Sequence, residues 1–241
     1  VGSEMCIRDR FNILGDQLKT NSTFDFDVKK LYTVRVRAID LGGLSVEQQL
    51  FVNITNVNDP PTAIVISNSS VPENSPIGTV VGSFSTTDAD DGDTHTYSFV
   101  SGAGDADNTL FAIVGNNLVT RNIFNFESRN SYSIRIQTED AGGLKFEQLF
   151  PISITNVNET PISVRISRRS IAENSPIGTV LGTLSTTDTD TLTDTEFVYS
   201  LVSGTGDTNN NLFVISGNQV LSNAPLDFET INKLSIRVRS T

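Results

Sequence analysis

The sequence repeats itself at an offset of 100 residues, and this repetition limits the possible folds more than any other feature. The run from Glu73 to Val80 recurs letter for letter from Glu173 to Val180. The run from Asp40 to Leu44 returns, with one change, from Asp140 to Leu144. Self-similarity at a fixed period indicates copies of one structural unit stacked along the chain. We therefore expect tandem domains of about 100 residues each.

The register of the repeat predicts three segments. Residues 1–60 contain a partial repeat, residues 61–160 a complete one, and residues 161–241 a second partial repeat. Beyond Asp190 the offset becomes 102 residues, because two residues are inserted in the loop that follows. Residues 1–10 share little with the equivalent stretch of the complete repeat and resemble translated adapter sequence. We expect this stretch to be non-native and both ends of the chain to be cut.

Apolar and polar residues alternate in several runs, which is the pattern of a β-strand with one buried face. Tyr132–Gln137 and Leu234–Arg239 both show this period of two. Turn residues separate such runs by about 8–12 residues, and about seven short strands per repeat are typical of a Greek-key β-sandwich. The sequence therefore predicts an all-β fold of tandem sandwiches of the immunoglobulin type. Phe111, Phe126 and Phe150 are predicted core residues.

The chain is acidic, with 28 Asp and Glu against 17 Lys and Arg and a formal net charge of −11. This balance excludes the basic face that nucleic-acid binding requires, and it disfavours docking on anionic lipid. No apolar run is long enough to span a membrane. The single cysteine, Cys6, permits no intrachain disulfide. An acidic surface suits divalent cations, although it also serves solubility.

Four oxygen-rich motifs recur at fixed places in the repeat: Pro-Glu-Asn at 72–74, Asp-Ala-Asp at 88–90, Asn-Phe-Glu at 125–127 and the linker Asn-Val-Asn-Asp at 56–59. Residues two apart in an extended chain point to the same side, so Asp88 and Asp90 can aim two carboxylates at one point. Converging carboxylates repel unless a cation lies between them, and Ca²⁺ takes about 6–8 oxygen ligands. One such motif is weak evidence, because Asp is common in turns. Four such motifs that recur at fixed places in the repeat predict calcium sites.

The order of these motifs, completed by Asp-Ala-Gly-Gly at 140–143, resembles that of bacterial cadherin repeats over nearly all of residues 11–241. The resemblance implies cadherin-like sandwiches with calcium bound between successive repeats. It implies an extracellular or cell-surface protein that acts in cell adhesion or forms the rigid stalk of a surface protein. Calcium is then the expected cofactor, and other cell-surface proteins or polysaccharide are the expected partners.

Carried over residue by residue, the resemblance implies one calcium cluster at each of two repeat junctions. The first would use Asp25, Asp27, Asn56, Asn58, Asp59, Asp88, Asp90 and Asp140. The second would use Glu73, Asn125, Glu127, Asn156, Asn158, Glu159, Asp188 and Asp190. Departures from the family pattern include Asn at the start of both linkers, and Asn125 and Glu159 in place of Asp. Because the second cluster has less charge and a longer ligand arm, we expect it to bind calcium more weakly.

Alternatives to this interpretation remain open. The acidic residues could be only turn formers and solvated surface. Carboxylate pairs could serve a glycosidase, but catalytic sites rarely repeat in every unit, so we expect no enzyme. The main rival to the stalk is a carbohydrate-binding module of a secreted multidomain protein. Such modules need exposed aromatic residues, whereas the four tyrosines occupy matching strand positions that predict burial. His95, the one histidine, is expected to be an exposed loop residue.

Overall fold

The computed structural model describes residues 10–190 and 196–241. Most of the segment predicted to be non-native, residues 1–9, lies outside the described residues. The predicted two-residue insertion belongs to the loop at residues 191–195, which also lies outside them. Within them the chain consists of strands and two single-turn 3-10 helices, at Asn108–Leu110 and Asn210–Leu212. None of these described helices is long and apolar enough to cross a membrane.

The strands recur along the chain as the sequence does. The first repeat contains β1 (Phe11–Leu14), β2 (Gln17–Thr20), β3 (Leu31–Ile39) and β4 (Ser45–Asn53). The middle repeat contains β5 (Ala63–Ile66), β6 (Ser70–Pro72), β7 (Val80–Thr87), β8 (Thr96–Phe99), β9 (Phe111–Val114), β10 (Asn117–Thr120), β11 (Ser131–Glu139) and β12 (Lys145–Thr155). The third repeat contains β13 (Ser163–Ile166), β14 (Val180–Thr187), β15 (Tyr199–Leu201), β16 (Phe213–Ser216), β17 (Gln219–Ser222) and β18 (Val238–Ser240).

The chain divides into two compact units. The first unit comprises the residues up to 71 together with residues 76–123 and 131–153. The second unit comprises residues 72–75, 124–130 and 154–241. The first unit thus contains the first repeat and most of the middle one, and the second contains the third repeat with one end of the middle one. All members of each predicted calcium cluster fall within a single unit.

The middle repeat forms two four-stranded sheets, which confirms the predicted all-β sandwich. Their strand orders are β5-β7-β10-β9 and β6-β12-β11-β8. In the second sheet β11 pairs antiparallel with both β12 and β8. In the third repeat the order β13-β14-β17-β16 matches that of the first sheet. Sheet order is thus reproduced from one repeat to the next, as the sequence offset predicts.

Buried and more exposed side chains alternate along the strands, so the buried ones form a core between the sheets. In β11, Tyr132, Ile134 and Ile136 are buried, and the residues between them are more exposed. Phe111 and Phe150 are buried as predicted. Phe126 was wrongly predicted as a core residue, because it is only half-buried. Each buried large side chain contributes about 1.5–3 kcal/mol, so each complete repeat can fold around its own core.

The repeated Asp-x-Gly-Gly sequence closes a hairpin. Asp140 Oδ1 accepts a hydrogen bond from the Leu144 backbone N–H at 2.8 Å, between β11 and β12. Gly143 has a φ of 86°, in a region that glycine reaches at little cost and other residues rarely adopt. The equivalent Asp40 accepts from Leu44 at the same distance. The fold therefore fixes the position of the Asp140 carboxylate before any ligand is considered.

Candidate metal centres

Four carboxylates converge in the second unit. One oxygen from each of Glu73, Glu127, Glu159 and Asp190 lies within 4.8 Å of the others. Glu73 and Asp190 are only 2% and 0% exposed. Within the described part of the chain, none of the three glutamates forms a salt bridge. Like charges at 4 Å repel by about 1 kcal/mol per pair in water and by more where solvent is excluded. A bound cation would therefore stabilise this cluster.

The Pro-Glu-Asn motif supplies the central carboxylate of this cluster. Glu73 Oε2 accepts a hydrogen bond from the Phe126 backbone N–H at 2.8 Å, and Oε1 accepts one from Val157 at 2.9 Å. Asn74 follows with a φ of 57°, a left-handed conformation that Asn tolerates better than most residues. The Asn74 side-chain amide donates to Glu159 Oε1. The motif thus joins a loop and the linker through one buried glutamate.

The Asp-x-Asp motif of the third repeat supplies a second buried pair. Asp190 N–H donates to Asp188 Oδ1 at 3.2 Å, so the two aspartates share one short turn. Asp190 Oδ2 accepts from the Glu159 backbone N–H, and the Thr189 hydroxyl donates to Glu159 Oε2 at 3.1 Å. Asp188 is 6% exposed, and its Oδ2 is shielded from solvent without a hydrogen-bond partner among the described residues.

Glu127 is the least stabilised carboxylate of the cluster. Both of its oxygens are shielded from solvent, and no other residue in the described part of the chain donates a hydrogen bond to them. Burial raises the pKa of Glu127 above its ordinary value of 4.5, the Glu127 backbone N–H partly opposes the rise, and the charges of Glu73, Glu159 and Asp190 add to it. A carboxylate held in this way is stabilised by a bound cation.

Replacing Glu127 by Gln should raise the melting temperature of the calcium-free protein at pH 7. Because the folded-state pKa is raised, the ionised carboxylate lowers stability as pH rises above 4.5, and Gln removes that charge. In calcium the same variant should gain less stability than the parent chain. Thermal unfolding with calcium and with chelator measures both effects.

The matched control for this variant is Glu229→Gln, which changes the equivalent glutamate of the third repeat. Glu229 is exposed, so its substitution should leave the melting temperature nearly unchanged in either condition. A calcium-free melting temperature for Glu127→Gln below that of the parent chain would show that Glu127 is held by interactions other than charge repulsion.

The spacing of the four-carboxylate cluster fits calcium. With Ca–O distances of about 2.3–2.6 Å, two oxygens on one ion are at most about 5 Å apart, and those of the cluster lie within 4.8 Å. Asn156, also predicted here, is half-buried. Asn125 Oδ1 instead accepts from the Ser128 N–H at 2.7 Å, and exposed Asn158 donates to the Glu159 carbonyl. The structure does not bring these last two side chains into the cluster.

In the first unit, Asp90 links the linker to the middle repeat. Its Oδ1 accepts from the Asn56 side-chain amide at 2.6 Å, and its Oδ2 accepts from the Asp59 backbone N–H at 2.7 Å. The Asn56 hydrogen bond, followed by that of Asp59, lowers the pKa of Asp90. Asp88 is joined to it through a hydrogen bond from the Asp90 N–H at 3.1 Å. These contacts draw the linker and the Asp-x-Asp motif together.

The first repeat contributes two further carboxylates to this neighbourhood. Burial raises the pKa of Asp27, and the charges of Asp90, Asp25 and Asp59 raise it further. Asp25 Oδ1 accepts from the Asp27 and Val28 backbone N–H groups at 2.9 and 3.1 Å, which holds both acids in one turn. Asp27 therefore lies close enough to acids of the linker and the middle repeat for their charges to act on it, and the charge of Lys30 opposes them.

Asp140 and Asn58 complete the first cluster. Asn58 donates from its side-chain amide to Asp140 Oδ2 at 2.9 Å. Burial alone would raise the pKa of Asp140, but hydrogen bonds from Asn58 and from the backbone of Leu144 and its neighbours lower it. A Cβ at Gly142 would overlap the Asn58 amide, so a larger residue there would displace Asn58 from Asp140. Hydrogen bonds thus join the linker to the middle repeat, and Asp25 to Asp27, but among the described residues only Asp88 of this cluster belongs to a close group of ligand atoms.

The two clusters differ in how their charge is balanced. In the first, Asn56, Asn58 and backbone N–H groups donate to Asp90 and Asp140. In the second, Glu73, Glu159 and Asp190 also accept hydrogen bonds, but Glu127 receives none from another residue of the described chain. This carboxylate favours a cation at the second cluster, whereas the sequence alone favours the first. The ranking of the two affinities stays a prediction.

The comparisons with known proteins identify the repeat. The cadherin domain family matches residues 67–164. These residues form a cadherin domain. The flanking segments share the repeated motifs and the sheet order of this domain, so the fold of the chain is that of tandem cadherin domains. Cadherin repeats are extracellular, non-enzymatic modules that bind Ca²⁺ between successive domains, and the acidic clusters of this chain lie at its linkers.

Relatives of known sequence cover nearly the whole chain. Protocadherin Fat 4 of Mus musculus is 29% identical over an alignment of 242 positions that covers 95% of this chain and 5% of that protein. Cadherin-12 of Homo sapiens is 28% identical over an alignment of 244 positions that covers 91% of this chain and 30% of that protein. This chain therefore spans a small part of each of these relatives. Both are animal proteins, so the comparisons support the predicted cadherin repeats but not the bacterial kind that the motif order resembles.

Solved cadherin structures superpose on the chain with similar coverage. The extracellular domain of protocadherin GammaB4 gives a TM-score of 0.63 at 26% identity, covering 97% of this chain and 39% of that one. The ectodomain of human desmocollin-1 gives 0.62 at 21% identity, covering 92% and 45%. At that lower identity the likeness supports the fold alone. Both comparisons confirm a tandem cadherin architecture.

Sequence reasoning missed the surroundings of Asp88. His95 was predicted to be exposed, and this was wrong: its side chain is only 12% exposed, and Nε2 lies 2.9 Å from Asp88 Oδ2. A third group of acids, Glu173, Asp227 and Glu229, lies on the third repeat and is exposed. One feature of the sequence could have placed His95 near the acids. It lies two residues after Asp93, and in an extended segment residues two apart point to the same side.

Proposed function

We propose that this chain is a calcium-binding array of cadherin repeats that acts in cell adhesion, as part of a surface protein whose repeats calcium holds rigid. The observation that carries this proposal is the group of four carboxylates around Glu73, two of them almost fully buried, with no basic partner for its glutamates among the described residues. Such a group is costly without a cation and becomes a set of shared ligands with one.

The proposed repeats meet near residues 60 and 160, where the linker motifs lie. At the first junction the ligands come from the first repeat (Asp25 and Asp27), the linker (Asn56, Asn58 and Asp59) and the middle repeat (Asp88, Asp90 and Asp140). At the second junction we propose Glu73, Asn125, Glu127, Asn156, Asn158, Glu159, Asp188 and Asp190, of which Asn125 and Asn158 would have to leave their present hydrogen bonds.

A cation at either junction would couple separate parts of the sequence. Without it, the mutual repulsion of the carboxylates opposes their close approach. With it, the same oxygens hold linker and repeats in one arrangement. Pro60 and Pro61 further restrict the backbone after the first linker. The expected partners are other cell-surface proteins. Polysaccharide is less favoured, because Tyr32 and Tyr132 are buried and Tyr97 and Tyr199 are half-buried, so no tyrosine is fully exposed.

Small-angle X-ray scattering with calcium and with chelator tests the rigid-array proposal. In calcium we expect a larger maximum dimension and a narrower distribution of conformations than in chelator. The variant carrying Asp90→Asn and Asp190→Asn loses one ligand charge at each junction and should respond less. Far-UV circular dichroism confirms that this variant is folded. Equal maximum dimensions of the parent chain in both conditions would contradict the proposal.

A further inference from the structure

A second kind of ligand group lies beside the first junction. One ligand atom from each of Asp88, Asp93 and His95 lies within 4.8 Å of the other two. The side chains of Asp88 and His95 are only 4% and 12% exposed, and His95 Nε2 lies 2.9 Å from Asp88 Oδ2. The group differs from both junction clusters in containing an imidazole nitrogen.

A tight turn brings the three residues together. The Asp93 N–H donates to the Asp90 carbonyl at 3.2 Å, and Gly92 between them has a φ of 86°, as a turn of this kind requires. Asp93 and His95 then lead into β8, and their spacing of two directs both side chains to one side. The loop therefore returns toward Asp88 at the end of β7.

The hydrogen bond between His95 and Asp88 does not involve the third member of the group, Asp93. Asp93 Oδ1 accepts from the Thr94 N–H at 2.6 Å. Asp93 Oδ2 is shielded from solvent and has no hydrogen-bond partner among the described residues. A solvent-shielded carboxylate oxygen without a partner is unfavourable, and a second carboxylate nearby adds to the cost. A cation held by all three residues would satisfy this oxygen.

We propose that Asp88, Asp93 and His95 bind a late first-row divalent cation, with Zn²⁺ as the best match. Calcium takes oxygen ligands, whereas imidazole suits zinc, copper and nickel. At Zn–N and Zn–O distances of about 2.0–2.2 Å, tetrahedral ligands lie about 3.3 Å apart, close to the 2.9 Å between His95 and Asp88. Three protein ligands leave the fourth position for water. The site shares Asp88 with the proposed calcium cluster but does not depend on calcium binding there.

Calorimetric titration with ZnCl₂ in calcium-free buffer tests this site. The chain should carry Cys6→Ser, which removes its only thiol. We expect Zn²⁺ to bind, and His95→Asn and Asp93→Asn each to weaken binding by at least about tenfold. The matched control is Asp91→Asn, which changes an exposed acid of the same turn and should leave the affinity within about twofold of the parent.

Zinc affinity unchanged in His95→Asn or in Asp93→Asn would overturn the proposal. A second measurement, the absorption spectrum of Co²⁺ bound to the parent chain, does not depend on whether the variants fold. Strong visible bands of four-coordinate Co²⁺ are expected, and the weak spectrum of six-coordinate Co²⁺ would overturn the assignment. Because no calcium is present, failure of calcium binding at the junctions would leave this result unaffected.

Discussion

Calcium should raise the melting temperature of the chain, and magnesium should not. Extracellular calcium modules bind with dissociation constants of about 10⁻⁴–10⁻³ M, so about 10 mM calcium is at least ten times the dissociation constant. At that ratio the free energy of unfolding rises by about 1.4 kcal/mol per site, or about 3–6 °C for a folded unit of 150–250 residues. Thermal unfolding by circular dichroism measures the shift.

Magnesium is the control for this experiment, because it prefers octahedral coordination at about 2.0–2.1 Å and keeps several waters. A group of four protein carboxylates leaves little room for those waters and suits calcium, which takes more protein oxygens in a more flexible geometry. Titration in constant ionic strength separates binding from general screening of the net charge of −11. No shift in melting temperature at 10 mM calcium, roughly ten times the weakest dissociation constant expected, would contradict the calcium assignment.

Replacing Glu73 by Ala should produce the largest loss of stability among single changes at the junctions. The substitution leaves the backbone N–H groups of Phe126 and Val157 without their carboxylate acceptor. Hydrogen bonds to a charged group contribute about 1.5–3 kcal/mol each, so we expect a loss of about 3 kcal/mol in saturating calcium. Urea unfolding in calcium measures this loss, and calorimetric titration should show weaker calcium binding.

Glu173→Ala is the matched control, since Glu173 occupies the same motif in the third repeat. It is exposed, and its carboxylate accepts one backbone hydrogen bond, from Phe228 at 3.1 Å. We expect its substitution to cost less than about 1 kcal/mol. Equal losses of unfolding free energy in the two variants would show that burial of Glu73 at the junction adds nothing to the stability that the motif provides.

The repeat made the fold predictable before any coordinates were known. Alternation in Tyr132–Gln137 identifies the buried face of β11, because side chains in a strand point to opposite sides in turn. The repeat also predicts that the sheet order recurs from copy to copy, since each copy must bury the same face, but it does not predict the order itself. Phe126 was mispredicted because its motif lies in a loop at the junction rather than in a strand, and apolar character alone does not distinguish the two.

The site was predictable as a set of residue types but not as a set of contacts. Motif order placed Glu73 and Asp190 in one cluster, where the structure also has them. It could not show that Asn125 would bond to the Ser128 N–H instead, because a side-chain amide can satisfy a nearby turn as readily as a distant cluster. His95 was missed for a related reason: its burial depends on the turn at Gly92, whose direction is set by backbone dihedral angles.

The same ligand motifs recur in each repeat, and this has a consequence for how such arrays lengthen in evolution. Asp140 is fixed by its own hairpin, and Glu173, Asp227 and Glu229 are grouped within the third repeat alone. A gene duplication that copies one repeat therefore also copies the late half of one junction and the early half of the next. New junctions arise complete wherever two copies adjoin, without further mutation, so the number of repeats can change while every binding residue keeps its place.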